Sequence, residues 1–232
     1  DEATGAEKVM SLTGYVPALM EQSAPLERTR QENAMKTTRS PRSRRATGKR
    51  GNHDSTFARN VILIGLPSAG KSTIGVILAK IMRMNFIDTD ILIQENTGKL
   101  LQEIIDKEGP EAFLKIEEET LCSLHVENTV IATGGSVVFS KKAMGHLRSG
   151  GIVIYLEITY GEMLHRLNNI TTREIVLNAG QSLREMYDQR IPLYEKNAEI
   201  RVCCSGEPFE RTVENIVHEI QEMRRSSGYG SE

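Results

Sequence analysis

The chain has 232 residues, 39% of them hydrophobic and 26% charged, and a formal net charge of −2 at pH 7. That length and balance suit one globular domain with room for further segments. They exclude a molecule that holds polyanions by overall charge, and no apolar run approaches the ~20 residues of a membrane span.

From the N-terminus, Val9 to Met20 reads as a short helix with little to hold it. Arg28 to Arg59 carries ten Lys and Arg against only Glu32 and Asp54, and almost no aliphatic residues. Such a stretch buries too little surface to offset the entropy of ordering, so residues 1–59 are expected to be a disordered basic arm. Nucleic-acid contact and organelle targeting are two readings of that run; a solvated tail, or residues outside the natural protein, is the plainer one. No charged-then-apolar signal peptide opens the chain. It begins at Asp1, so a fragment or a misread frame is expected, with Met35 a candidate start.

From Asn60 onward, short apolar strands alternate with amphipathic helices. Strands are predicted at Val61–Ile64, Asn85–Ile87, Val130–Ala132, Ile152–Leu156 and Ile200–Cys203. Helices are predicted at Lys71–Met82, Leu100–Lys107, Pro110–His125, Lys141–Leu147, Tyr160–Leu167, Ser182–Lys196 and Pro208–Arg224. This alternation implies βαβ units, a parallel sheet with helices on both faces, and ligands beyond the carboxyl ends of the strands. Three cysteines, Cys122, Cys203 and Cys204, point to buried free thiols in a reducing cytoplasm. The neighbours Cys203 and Cys204 should face opposite sides of a strand.

The strand Val61–Ile64 runs into Gly65-Leu66-Pro67-Ser68-Ala69-Gly70-Lys71-Ser72-Thr73 and then a helix, the order of a phosphate-binding loop. Glycines at 65 and 70 let backbone N–H groups converge on an oxyanion, and the helix adds the positive end of its dipole. Lys71 would supply a point charge to the β- and γ-phosphates, and Ser72 a hydroxyl to Mg²⁺. ATP with Mg²⁺ is therefore expected.

Asp88 and Asp90 in Phe86-Ile87-Asp88-Thr89-Asp90 alternate on an extended segment and should project from one side. One would hold Mg²⁺ and the other would orient and deprotonate an acceptor hydroxyl. The alternative is a helix N-cap, since Asp90 opens the run Ile91-Leu92-Ile93-Gln94. Gly134 and Gly135 follow a buried strand and would let the backbone approach a small ligand; an ordinary turn explains them too. Asn168 to Gln181, polar and holding Gly180, reads as a mobile lid, with Arg166, Arg173 and Arg190 in or beside it. A lid arginine can spread over a transferring phosphate. Arg190, near a helix centre, is equally well a surface ion pair.

Taken together, these pieces resemble the shikimate kinase family over about Asn60 to Met223. The landmarks are Gly65–Thr73, Phe86–Asp90, Glu108–Glu117, Ala132–Ser136, Arg173 and Arg190-Ile191-Pro192-Leu193-Tyr194. The resemblance implies a three-layer α/β/α P-loop kinase fold over residues 60–224, with a central five-stranded parallel sheet, a mobile lid and a flexible tail at 225–232. It implies transfer of the ATP γ-phosphate to the 3-hydroxyl of shikimate, with Mg²⁺, by a cytoplasmic monomer. On it, Gly65, Ser68, Ala69, Gly70, Lys71, Ser72 and Thr73 would bind the nucleotide, Arg166 would stack on adenine, and Ser72 and Asp88 would serve the metal. Lys71, Asp90 and Arg173 would be catalytic; Asp90, Gly134, Gly135 and Arg190 would bind the acceptor.

Two positions depart from the family pattern. Leu114 stands where the family has an arginine after Phe113, and Ser136 where it has a third glycine. Loss of that arginine removes one charge-assisted hydrogen bond, worth roughly 1.5–3 kcal/mol or one to two decades of affinity. Lys115 lies about 100° further round the helix and lacks the bidentate fork. Both departures touch the acceptor end and leave the nucleotide end whole. A kinase for another small acceptor, such as a sugar acid or a nucleoside monophosphate, and a catalytically inactive ATP-binding module are the alternatives. Nucleic acid is not expected as a partner except through the basic arm.

Overall fold

A computed structural model describes residues 59–168, 175–177 and 180–226. Residues 1–58 of the expected basic arm, residues 169–174 and 178–179 of the expected lid with Arg173, and residues 227–232 of the expected tail therefore lie outside the described residues, whereas Arg225 and Ser226, expected in the tail, are helical.

Five strands form one parallel sheet: β1 (Asn60–Ile64), β2 (Asn85–Asp88), β3 (Thr129–Ala132), β4 (Gly151–Glu157) and β5 (Ile200–Cys203), in the order β2-β3-β1-β4-β5. β1 lies at the centre, where Val61 is paired with Val130 on one side and Ile152 on the other. Every residue of β1 is buried, which is why it reads as a continuous Val/Ile/Leu run rather than an alternating one. Its one polar member, Asn60, is satisfied: Nδ2 donates to Val126 O at 2.7 Å, and Oδ1 accepts from Thr129 N at 3.1 Å. That side chain fixes the entry of β3 against β1.

The helices are α1 (Lys71–Met82), α2 (Thr89–Thr97), α3 (Leu101–Glu108), α4 (Pro110–Cys122), α5 (Lys141–Gly150), α6 (Tyr160–Asn168), α7 (Leu183–Asn197) and α8 (Phe209–Ser226). α1 and α8 pack together along the sheet, while α4, α5 and α7 gather round a 3₁₀ turn at Val137–Phe139. Helices thus cover both faces, as the alternation of elements predicts. The main core is the sheet between these layers. A second, smaller core of Ile93, Leu101, Ile104 and Phe113 holds α2, α3 and α4 together above the carboxyl end of β2.

The predicted strands and most helices agree with the structure, with differences at the ends. α4 stops at Cys122, three residues before the predicted His125, and α5 and α8 run further than expected. Helix α2 is the largest addition. It starts at the very residue after β2, with no loop between, and its Ile91-Leu92-Ile93 run carries no helical periodicity over so short a length. Cys203 is exposed, Cys204 buried and Cys122 half-buried, all as free thiols, so only one of the three is a buried thiol as expected. Among the described residues no helix is long and apolar enough to cross a membrane.

Candidate active site

The loop after β1 bends through three residues of positive φ: Gly65 (150°), Ser68 (64°) and Gly70 (92°). A side chain at Gly65 would be strained there and would place its Cβ 2.7 Å from Leu156 O. Lys71 follows at the first position of α1 and folds back over the loop. Its Nζ donates to Gly65 O at 2.8 Å and Leu66 O at 2.9 Å. The ammonium is thereby held buried at the mouth of the loop. Ala69 N donates to Leu66 O at 3.2 Å, which closes a turn inside it. No side chain caps α1, and Ser72 and Thr73 are exposed on its first turn. A bare helix start, a buried cation and exposed hydroxyls fit a polyphosphate.

Arg166, on α6, ties this loop to the sheet edge. It pairs with Glu162 at 2.6 Å, donates to Ser68 O at 3.3 Å and Cys204 O at 2.9 Å, and lies over the Phe209 ring at 5.9 Å. Phe209 itself touches the loop: a Cβ on Gly70 would lie 2.8 Å from its ring edge. Sequence patterning gave no reason to single out Phe209. It is an ordinary aromatic at a helix start, and only the fold brings it against the loop.

The two aspartates do not lie on one extended segment, which corrects the expectation. β2 ends at Asp88, and Asp90 is already in the first turn of α2. The capping alternative holds, but for the other residue: Asp88 is the N-cap, with Oδ1 accepting from Asp90 N at 3.0 Å. The chain turns because an apolar strand meets a capped helix without a linker. That turn sends Asp90 into a cleft lined also by Pro67, Leu101, Phe113, Gly134, Gly135, Ser136, Val176 and Arg190.

The glycine pair forms the wall of this cleft, and three elements converge on it. Gly134 N donates to Thr89 Oγ1 at 3.2 Å. A Cβ on Gly134 would collide with Glu117 Oε1 and lie 2.9 Å from Asp90 Oδ1, so only glycine lets those carboxyls approach. Helix α7 then presents Arg190 and Tyr194, four residues apart and hence on one face. Arg190 Nη1 comes within 3.1 Å of where a Cβ on Gly135 would stand, and Tyr194 Oη donates to Gly135 O at 2.5 Å. Arg190 is no surface ion pair. It is 2% exposed, donates through Nη2 to Val176 O at 2.5 Å, and sits over the Phe139 ring at 5.3 Å.

Glu117, named in the sequence only as a landmark, is the residue that patterning undervalued. It is 2% exposed on the buried face of α4, four residues from buried Phe113 and four from buried Leu121. An acid on the apolar stripe of an amphipathic helix is the signal that could have found it. Ser136 Oγ donates to its Oε2 at 2.7 Å. Burial pushes its carboxyl up to about 7, Asp90 adding to the rise while Ser136, Arg190 and Lys71 oppose it. Lys115 takes no part in the cleft, as expected: it is turned to solvent toward Glu119.

A phosphate loop with a buried lysine, opening beside an acid, a glycine pair and a buried arginine, defines a P-loop small-molecule kinase. Residues 67–221 match the family model for shikimate kinase. The chain belongs to that family. A shikimate kinase from Vibrio parahaemolyticus is 38% identical over 167 residues, which span 71% of this chain and 97% of the relative. One from Haemophilus influenzae is 37% identical over 174 residues, 73% of this chain and 97% of its own. In structure the chain is similar to the Acinetobacter baumannii shikimate kinase in complex with shikimate (TM-score 0.63, 28% identity, 72% of this chain and 95% of that one). It is also similar to the Aquifex aeolicus enzyme (TM-score 0.59, 28% identity, 70% and 96%).

Proposed function

We propose that this protein transfers the γ-phosphate of ATP to the 3-hydroxyl of shikimate. The observation that carries the reading is a single cleft in which the loop around Lys71 meets Asp90, Gly134, Gly135 and Arg190. Buried Arg190 offers its guanidinium to a carboxylate in the cleft. Asp90, which lines the same cleft, accepts the hydroxyl proton as the oxygen attacks. Lys71 exchanges its two loop carbonyls for phosphate oxygens and bears the charge that spreads over them in transfer.

The same reading assigns Arg166 and Phe209 to the base of the nucleotide, and Arg173 to the lid over the phosphates. Mg²⁺ would be held by exposed Ser72 and by Asp88, together with phosphate oxygens. One or two protein oxygens are enough for a cation that keeps most of its shell from substrate and water. When bound it neutralises charge on the β- and γ-phosphates. The protein would work as a cytoplasmic monomer.

The test is an ADP-release assay over a panel of acceptors. Shikimate should stimulate turnover, and Lys71→Ala should lower it by at least two decades with the fold intact by circular dichroism. If another hydroxy acid stimulates turnover and shikimate does not, the acceptor assignment is wrong. If Lys71→Ala turns over normally, the phosphate-loop assignment is wrong.

A further inference from the structure

Ser136 lines the acceptor cleft and Glu117 lies directly behind its Gly134 wall, an arrangement the phosphoryl-transfer chemistry does not use. Glu117 is buried, its Oε2 held by Ser136 Oγ at 2.7 Å. Its Oε1 has no hydrogen-bond partner among the described residues, and it lies against Gly134 beside Asp90 Oδ1. The groups facing it come from every element packed around it: Asp90 from α2, Ser136 after β3, Lys71 from α1, and Arg190 and Tyr194 from α7. Both cations hold bonds elsewhere. Lys71 is committed to the loop carbonyls and Arg190 to Val176 O.

On α4 itself, Leu114 supplies no charge, Lys115 is 78% exposed beside Glu119, and Glu118 turns to Ser140 and Lys142. A carboxylate buried with one hydroxyl donor and an acid for a neighbour is costly to ionise. A carboxylic acid in the same place carries a proton that needs an acceptor, and the unpartnered oxygen faces one.

We propose that Glu117 is a positioning residue of the acceptor cleft that works as an uncharged acid, fixed by Ser136, its proton keeping a second negative charge from behind the Gly134 wall beside which Asp90 and an anionic acceptor must meet. Leu114 and Ser136 then belong together. With no arginine on α4 to hold an ionised Glu117, a hydroxyl that tolerates both forms takes over one oxygen. The neutral form leaves the field of Arg190 to the acceptor's own carboxylate. The ionised form divides it. Proton and acceptor binding are therefore coupled, and by linkage the acceptor tightens the proton as much as the proton tightens the acceptor.

This inference deepens the kinase reading and rests on it for its kinetic arm. Acceptor KM and ATP KM are measured across roughly pH 6 to 8.5 for the wild type, Glu117→Gln and Ser136→Ala. In the wild type, acceptor KM should rise about tenfold with pH while ATP KM stays level. Glu117→Gln should hold acceptor KM at its low-pH value throughout. Ser136→Ala, having lost a bond that favours the ionised form, should move the rise to higher pH. A flat wild-type profile overturns the proposal, as does a rise that persists in Glu117→Gln.

If Glu117→Gln fails to give a cooperative melt, Ser136→Ala decides: an unmoved rise overturns the proposal. Infrared difference spectra of the ATP- and acceptor-free protein at pH 6, wild type minus Glu117→Gln or Ser136→Ala, read the protonated carboxyl directly. A carbonyl band that is lost or displaced supports the uncharged acid, and its absence overturns it. Since no acceptor is present, this result is separable from a failure of the kinase reading, which would show as no acceptor-stimulated turnover at any pH.

Discussion

A buried acid among cations and acids leaves its mark on stability as well as on binding. Glu117 binds its proton more tightly folded, at about 7, than at the ordinary 4.5 of an unfolded chain. Between those values the folded state holds more protons, so stability falls as pH rises. The contribution is complete below the lower value, declines through the upper one and levels off above it, with a total on the order of 3 kcal/mol. Melting temperature should therefore drop between roughly pH 5 and 8 in the wild type, and Glu117→Gln should flatten that part of the curve in calorimetry. An equal drop in both would remove Glu117 as its source. Tyr194 is a different case. Burial pushes its hydroxyl well above the usual phenol range, so it stays a donor to Gly135 O at any working pH. Lys71 was legible from residue type and spacing, while Asp90, the glycine pair and Arg190 were singled out with a cap, a turn and a surface ion pair as readings beside the functional one. Glu117 left only the trace of an acid on an apolar helix stripe and Phe209 none, because what distinguishes them is mainly what touches them.

At the scale of elements, α7 does the most to shape the acceptor end, since Arg190 and Tyr194 reach the glycine pair from the same face. Its start is secured by a capping box. Ser182 Oγ accepts from Glu185 N at 3.2 Å, and Glu185 Oε2 accepts from Ser182 N at 2.8 Å. The helix needs this because Pro192 inside it withholds one N–H from the ladder. Ser182→Ala should cost about 1 kcal/mol, seen as a fall of roughly 2–4 °C in melting temperature. No measurable change would show that packing of α7 on the core, not its cap, sets its stability. The acid pair belongs to this scale too. Period-2 reasoning placed Asp88 and Asp90 on one strand. The helix that starts between them has no signal except the aspartate itself, which the pattern reads equally as ligand or cap.

At the scale of the molecule, the sheet, both cores and the cleft are built from residues 60–226. The relatives from Vibrio and Haemophilus are matched over 97% of their own lengths by 71% and 73% of this chain. The matched region thus spans nearly the whole length of these relatives. The chain without residues 1–58 should keep acceptor-stimulated turnover and ATP affinity within about twofold, a tolerance set by terminal segments outside a packed core. A loss beyond tenfold would show that the N-terminal segment takes part in the site. If the arm binds nucleic acid, steeply salt-dependent retention on it should vanish with the same truncation.

What the sequence determined by itself was whatever is written locally: the strand–loop–helix of the phosphate loop, the parallel alternation, and the residue types that phosphoryl transfer needs. Local geometry and hydrophobic periodicity act over a few residues and survive without knowledge of partners. Only the tertiary structure decided that Asp90 leaves its strand, that Arg190 is buried, and that Glu117 and Ser136 meet across 19 positions of chain beneath Gly134. Charge state and hydrogen bonding there depend on desolvation and on neighbours brought from four separate segments, and no spacing along the chain encodes them.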